Sequence, residues 1–156
     1  MKEPASLGQC CIDDLDPVQD LGRLVSYLRS NLVTHLDTEL MPMDLTSAQY
    51  IVVVLLARGK VNTLAQLCEH MVYDRGAMSR LLSRLEEKGL VARQQSAEDR
   101  RSTLLCLTEK GQQLYPEILP IVNNIYRTAL SDFSDDEKAQ LASLLFRAIH
   151  NLQLIT

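Results

Sequence analysis

The sequence predicts a mainly α-helical fold carrying one small β-hairpin. Aromatic residues are scarce, with two Phe, five Tyr and no Trp, so the core must be built from aliphatic side chains, which suits packed helices. Helix-start signals recur, at Thr46-Ser47-Ala48-Gln49, at Thr63 with Gln66 and at Ser134-Asp135-Asp136-Glu137. In each, a hydroxyl at the N-cap is followed three residues on by an amide or carboxylate that can reach back. One stretch alone reads as paired strands, Leu90 to Ser96 and Ser102 to Leu107, on either side of the polar tip Ala97-Glu98-Asp99-Arg100-Arg101.

Along the chain, residues 1–16 form a tail with Pro4, Gly8 and the acidic cluster Asp13-Asp14-Leu15-Asp16. Asp16-Pro17 reads as a helix start, with Asp at the N-cap and Pro at the first helical position. Leu21, Leu24, Val25, Leu28, Leu32 and Leu36 then recur at helical spacing to about Leu40, and Pro42 ends the helix. Ile51 to Leu56 is rich in β-branched residues and could be a strand. The capping box before it and the Arg58-Gly59 stop after it favour a buried helix. A short helix from Leu64 to about Met71, a turn at Val72-Tyr73-Asp74 and a helix from Arg75 to Lys88 follow, with Gly89 as the stop. After the hairpin, Thr108-Glu109 opens a helix bent or interrupted near Pro116 and Pro120. A last helix carries Leu141, Leu144, Leu145, Ala148 and Leu152.

The 156 residues are enough for one domain. Sixteen basic against twenty acidic residues give a net charge of −4, which excludes a uniformly basic nucleic-acid binder but not a local basic patch. With 46% hydrophobic and 23% charged residues, the chain is neither disordered nor fibrous. Its longest apolar run, Tyr50 to Ala57, is far below the roughly 20 residues of a membrane helix. Lys2, Glu3, Asp13, Asp14 and Asp16 leave no apolar core for a secretory leader. Four cysteines, two of them adjacent, make no disulfide framework, so a cytoplasmic location is expected.

Two short helices joined by a tight turn, a basic-faced helix and a hairpin with arginines at its tip outline a winged helix-turn-helix. With Met78, Leu81, Leu82 and Leu85 turned inward, the outward face holds Arg75, Ala77, Ser79, Arg80, Ser83 and Arg84. Small residues allow close approach, hydroxyls suit phosphates, and arginines can bond guanine bidentately. About 13 helical residues span roughly 20 Å, enough to lie in a major groove. Charge is also partitioned: residues 73–101 hold seven basic residues (Lys88 and Arg93 among them) against five acidic, while the rest of the chain is acidic. Such a positive face on an acidic protein fits a duplex binder.

Four ordered motifs carry a resemblance. They are Leu45-Thr46-Ser47-Ala48-Gln49-Tyr50, Met78 to Arg93, Asp99-Arg100-Arg101, and Leu107-Thr108-Glu109-Lys110-Gly111. With these the chain, from about residue 20 onward, resembles the MarR family of transcriptional regulators. The resemblance implies a homodimer whose terminal helices pair (17–44 and 108–156), with two winged lobes (45–107) reading a pseudo-palindromic operator in double-stranded DNA. It places Ala77, Ser79, Arg80, Ser83 and Arg84 on the recognition helix. It also implies that Arg101 enters the minor groove and that Asp99 braces it. A small phenolic or carboxylic effector would bind between dimer helices and DNA lobe, against the first long helix, the Ile51 helix and the start of the post-wing helix. The expected function is then a repressor relieved by that effector.

Two alternatives stand beside it: a regulator of the same fold that senses oxidants through Cys10 and Cys11, and a helical protein-interaction module that binds no DNA. Against the first, Cys10 and Cys11 have no adjacent Lys or Arg to lower a thiol pKa. Gly22 stands where peroxide-sensing members carry a cysteine. Cys68 and Cys106, among apolar neighbours, read as inert core residues. Cys68-Glu69-His70 makes a poor metal site, because positions i and i+2 of a helix face apart. No phosphate loop, catalytic triad or metal motif stands out, so no catalysis, metal, cofactor or membrane association is expected.

Overall fold

The computed structural model describes residues 15–16, 19–95 and 103–154. In chain order these form α1 (Leu21–Leu40), a 3-10 turn (Met41–Met43), α2 (Ser47–Ala57), α3 (Leu64–Met71) and α4 (Arg75–Glu87). Then come β1 (Val91–Gln95), β2 (Thr103–Leu107), α5 (Glu109–Ala129) and α6 (Asp135–Gln153). The expected mainly α fold with one antiparallel hairpin is what forms. By compactness the chain divides at Ile121, inside α5.

The first unit holds a core of aliphatic side chains. Leu40, Val52, Val53, Leu67, Met78, Leu82, Leu85 and Ile118 are fully buried. Each such Leu or Met contributes about 1.5–3 kcal/mol of burial, so the core is set by α1's end, α2, α3, α4 and α5 together. In α2 the β-branched run is helical because Thr46 caps it. Its hydroxyl accepts from Gln49 N–H (3.3 Å) and the Gln49 amide accepts from Thr46 N–H (3.2 Å). Gly59, at φ 61°, stops the helix where a left-handed residue is needed.

Three expectations need correcting. The first helix begins at Leu21 with Asp20 at its N-cap, not at Asp16; Pro17 lies outside the described residues. Asp16 does cap a turn, accepting from Gln19 N–H (2.7 Å), but its own N–H is taken by the Asp20 carboxylate (3.0 Å). That bond, with Arg23 behind it, holds the Asp20 carboxyl below the usual carboxylate range. Second, of the bend or interruption expected at Pro116 and Pro120, the interruption does not occur: α5 is one helix through both. Four apart, both prolines are exposed, and so is Gln112, which with Pro116 carries the carbonyls left without an N–H partner. Third, the Thr63 box is only half closed. Thr63 accepts from Gln66 N–H (3.3 Å), whereas the Gln66 amide accepts from Asn62 (2.9 Å).

The second unit holds the rest of α5 and α6, which Ser134 and Glu137 cap reciprocally. The Glu137 carboxylate accepts from the backbone N–H (2.7 Å) and the hydroxyl (2.9 Å) of Ser134, and this lowers its pKa. A depressed carboxylate stabilises the fold above its ordinary pKa, and the contribution fades as pH falls through the lowered value. Helical ellipticity between about pH 5 and pH 3 should therefore fall more in wild type than in Glu137→Gln, which keeps an acceptor without a charge. Equal losses would show that the cap does not titrate. Along α6 three residues of the expected apolar stripe, Leu144, Leu145 and Leu152, are exposed, and so are Phe146 and Ile149 outside it.

Candidate nucleic-acid interface

Helices α3 and α4 are joined by Val72, Tyr73 and Asp74. α3 ends in a reversal in which Tyr73 N–H donates to Cys68 C=O (3.0 Å) and Val72 N–H to Glu69 C=O (3.4 Å). Asp74 then opens α4 by accepting from Ala77 N–H (2.8 Å), and its carboxylate sits at the positive end of the helix dipole. α4 is seated by Met78, Leu82 and Leu85, all fully buried, with Leu81 half-buried beside them. Its opposite face is set by 3.6-residue periodicity.

On that face Arg75, Arg80, Ser83 and Arg84 are exposed, while Ala77 and Ser79 are half-buried at its edges. Arg75, Arg80 and Arg84 make no ion pair with any described residue. Two basic residues counted toward the positive face are engaged elsewhere. Lys88 bonds the Asp44 carbonyl, the Asp44 carboxylate (3.1 Å) and the Gln49 amide oxygen (3.1 Å), which uses all three of its protons. Arg93 pairs with Glu86 at 3.0 Å. Among the described residues the available charge is therefore narrower than the sequence implied, and it lies on α4.

Two glycines shape this region; the sequence reading assigns Gly76 no role and names Gly111 only as part of the Leu107 to Gly111 motif. A Cβ on Gly76 would lie 3.2 Å from the Asp74 carboxylate and 3.4 Å from an Arg80 guanidinium nitrogen. The glycine thus leaves room for Arg80 over the first turn of α4; a Gly inside a helix, against propensity, was the available signal. Gly111 lies under the end of α4, where a Cβ would come within 2.2 Å of the Leu90 carbonyl oxygen. Around it, Thr108 donates its hydroxyl proton to Gly89 C=O (2.6 Å) and accepts from Gly111 N–H (3.1 Å). Lys110 bonds Lys88 C=O at 2.8 Å. The motif Leu107 to Gly111 is thus a clamp that fixes the α4 terminus and the hairpin base against the start of α5.

The hairpin pairs Val91 with Leu107 through Gln95 with Thr103, and Leu105 N–H donates to Asn62 C=O (2.7 Å), tying it to the chain just before α3. Its expected tip residues, Asp99, Arg100 and Arg101, lie outside the described residues, as do Cys10 and Cys11. Cys68 and Cys106 are half-buried rather than core; the Cys106 thiol faces Ala92 C=O at 3.6 Å. Among the described residues no three His, Cys, Asp or Glu side chains converge as metal ligands, and no single helix is long and apolar enough to cross a membrane. A cleft of about 390 Å³ opens between the end of α2, β2 and the start of α5, lined by Leu56, Val61, Cys106, Gln112 and Tyr115 among others. α1, expected as one wall of an effector site, does not line it.

A helix pair joined by a tight turn, followed by an antiparallel hairpin, defines a winged helix-turn-helix protein. The MarR-family sequence profile matches residues 43–102, which span that unit. A MarR transcriptional regulator from Methanosarcina mazei Go1 is similar over 88% of this chain and 99% of its own, at 27% identity and a TM-score of 0.79. A mutant MarR from E. coli complexed with operator DNA is 28% identical, covers 92% of this chain and 99% of its own, and superposes with a TM-score of 0.74. A MarR-family regulator from Listeria monocytogenes complexed with 26mer DNA is 28% identical over 88% of this chain and 89% of its own, with a TM-score of 0.77. Residues 43–102 thus match the MarR family, and the fold is that of solved MarR-family transcriptional regulators.

Proposed function

We propose that this protein is a dimeric repressor that reads a pseudo-palindromic operator in double-stranded DNA through α4 and the hairpin tip. One observation carries the reading: three exposed arginines without ion-pair partners among the described residues stand on a helix whose other side is buried in the core. Arg80 and Arg84, four apart, share a face and can meet base edges, while Ser79 and Ser83 beside them can meet phosphates. The solved complexes of two relatives with DNA support the same use of the fold. Selection from a random duplex pool tests it. Enrichment of an inverted repeat supports the proposal, and recovery of unenriched sequence contradicts it and favours a protein-interaction module.

Dimerisation follows from the uncovered apolar faces. In the first unit Leu21, Val25 and Leu28 of α1 are exposed; in the second, Phe146 is 72% and Leu152 66% exposed. Monomeric proteins rarely leave such stripes in water. A second copy covering the helices of 17–44 and 108–156 would bury more than about 2,000 Å², as permanent interfaces do. Sedimentation at micromolar concentration should give only dimer, and a stable folded monomer would refute this.

At the hairpin tip, Arg101 inserts into the minor groove, where A·T-rich narrowing deepens the negative potential. Asp99 holds its guanidinium extended. Arg100 instead meets phosphate or solvent. Arg101→Ala should therefore weaken operator binding more than Arg100→Ala, with an effect that depends on flanking A·T content. Equal affinities of wild type and Arg101→Ala would reduce the tip to a solvated turn. Relief by a small phenolic or carboxylic effector fits the cleft between α2, β2 and α5, which has the volume for one.

A further inference from the structure

Four helical segments of this chain end in the same reversal. In each, a residue in the left-handed conformation and the residue after it turn their N–H groups back onto the preceding turn. Asp44 and Leu45 bond Met41 (2.9 Å) and Leu40 (3.2 Å), and Gly59 and Lys60 bond Leu56 (3.1 Å) and Leu55 (3.2 Å). Val72 and Tyr73 bond Glu69 (3.4 Å) and Cys68 (3.0 Å), and Gly89 and Leu90 bond Glu86 (2.8 Å) and Leu85 (2.9 Å). The left-handed residue has φ of 53° at Asp44, 61° at Gly59, 54° at Val72 and 69° at Gly89.

Three of the four positions carry a residue that the conformation favours. Glycine has no Cβ to clash, and aspartate tolerates the left-handed region better than most side chains. Asp44 is also held by Lys88. Valine is the opposite case, because a branched Cβ at positive φ is strained. Nor is the strain recovered by burial, since Val72 is 91% exposed. In the free protein, then, backbone and solvent both disfavour valine at the one reversal that leads into α4. Strain concentrated at a single exposed site points to a contact made only in a complex.

Its surroundings say with what. Val72 stands two residues before Asp74, the N-cap of α4, and three before the exposed Arg75, within about 10 Å of it along the chain. Recognition helices present their N-terminal residues to the groove, so this turn would lie against the duplex when α4 does. A partner protein is the weaker fit, since the exposed face of α4 beyond the turn carries Arg75, Arg80 and Arg84, although Glu69 and Asp74 are also exposed beside Val72. We infer that Val72 is a DNA contact that packs its two methyl groups on apolar carbon of the duplex, either a thymine methyl, which would make it specificity-determining, or a deoxyribose, which would make it a positioning contact. The inference rests on the DNA-binding proposal above. Having few rotamers, valine makes such a contact with little loss of side-chain freedom.

The test compares wild type, Val72→Gly, Val72→Asn and Val72→Thr on the operator recovered from the duplex pool. Gly and Asn relieve the strain and remove the methyls; Thr keeps the branched Cβ but replaces one methyl with a hydroxyl. Val72→Gly and Val72→Asn should melt roughly 2–4 °C higher than wild type yet bind about fivefold more weakly or worse. Val72→Thr should fall between them and wild type in affinity. The salt slope should not change, because no charge is altered. An operator with uracil for thymine then identifies the carbon. Weaker binding by wild type but not by Val72→Gly assigns the thymine methyl, and no change assigns the sugar. Operator affinity equal to wild type in Val72→Gly and Val72→Asn overturns the inference and leaves the DNA-binding reading intact. So does weaker binding accompanied by lower melting in both variants, which would make Val72 a structural residue. If the wild type enriches no operator, the DNA-binding reading fails first and the inference falls with it.

Discussion

Gly111→Ala is expected to destabilise the protein by about 3 kcal/mol, the upper end of what overpacking costs. The added Cβ would lie 2.2 Å from the Leu90 carbonyl oxygen, and that carbonyl cannot move alone. It accepts from Thr108 N–H (3.0 Å) and sits next to Gly89, whose carbonyl is bonded by the Thr108 hydroxyl (2.6 Å). Relieving the clash therefore means shifting the end of α4 or the start of α5. For a domain of this size the corresponding fall in melting temperature is roughly 6–12 °C. A cost within about 0.5 kcal/mol of that of an ordinary surface substitution would contradict the clamp. Gly59→Ala serves as a reference, because its Cβ meets nothing within 4 Å and only the positive φ opposes it.

The second large effect is on binding. Arg80→Ala and Arg84→Ala should each cost about 1–3 kcal/mol per half-site, with the loss concentrated at particular base positions. Neither arginine has an ion-pair partner among the described residues, so truncation leaves no orphaned carboxylate and stability should change little. Lys88→Ala should behave in the reverse way. Its ammonium is spent on Asp44 and Gln49, and its removal strips the half-buried lock between α2 and the end of α4 without touching DNA directly. Fluorescence anisotropy for affinity and thermal melting for stability separate the two classes.

The helices and the exposed face of α4 could be read from the sequence because their causes are local. Thr46 with Gln49 and Ser134 with Glu137 sit three residues apart and close as the box pattern demands. Met78, Leu82 and Leu85 recur at helical spacing and are buried on one side, which puts Arg80 and Arg84 on the other. Local cues misled where two competed. Asp16 and Asp20 can both cap, and the chain uses Asp16 for a turn and Asp20 for the helix. Pro116 and Pro120 looked like breaks because a sequence does not say which side of a helix faces water.

Long-range contacts were the hidden part. Lys88 reaches Asp44, 44 positions earlier, and so leaves the basic surface that composition assigned it to. Gly111 is needed only because the Leu90 carbonyl passes over it. Val72 read as an ordinary turn residue, and its left-handed backbone became evident only from φ.

The most direct test of α4 as the reading helix is a matrix of affinities. Wild type, Arg80→Ala and Arg84→Ala are titrated against the selected operator and against every single-base variant of one half-site, at one fixed salt concentration. α4 reading the groove predicts that each alanine variant loses discrimination at its own one or two base positions and keeps the wild-type preference elsewhere. A uniform weakening over all sequences, or no weakening, would show that these arginines do not read bases.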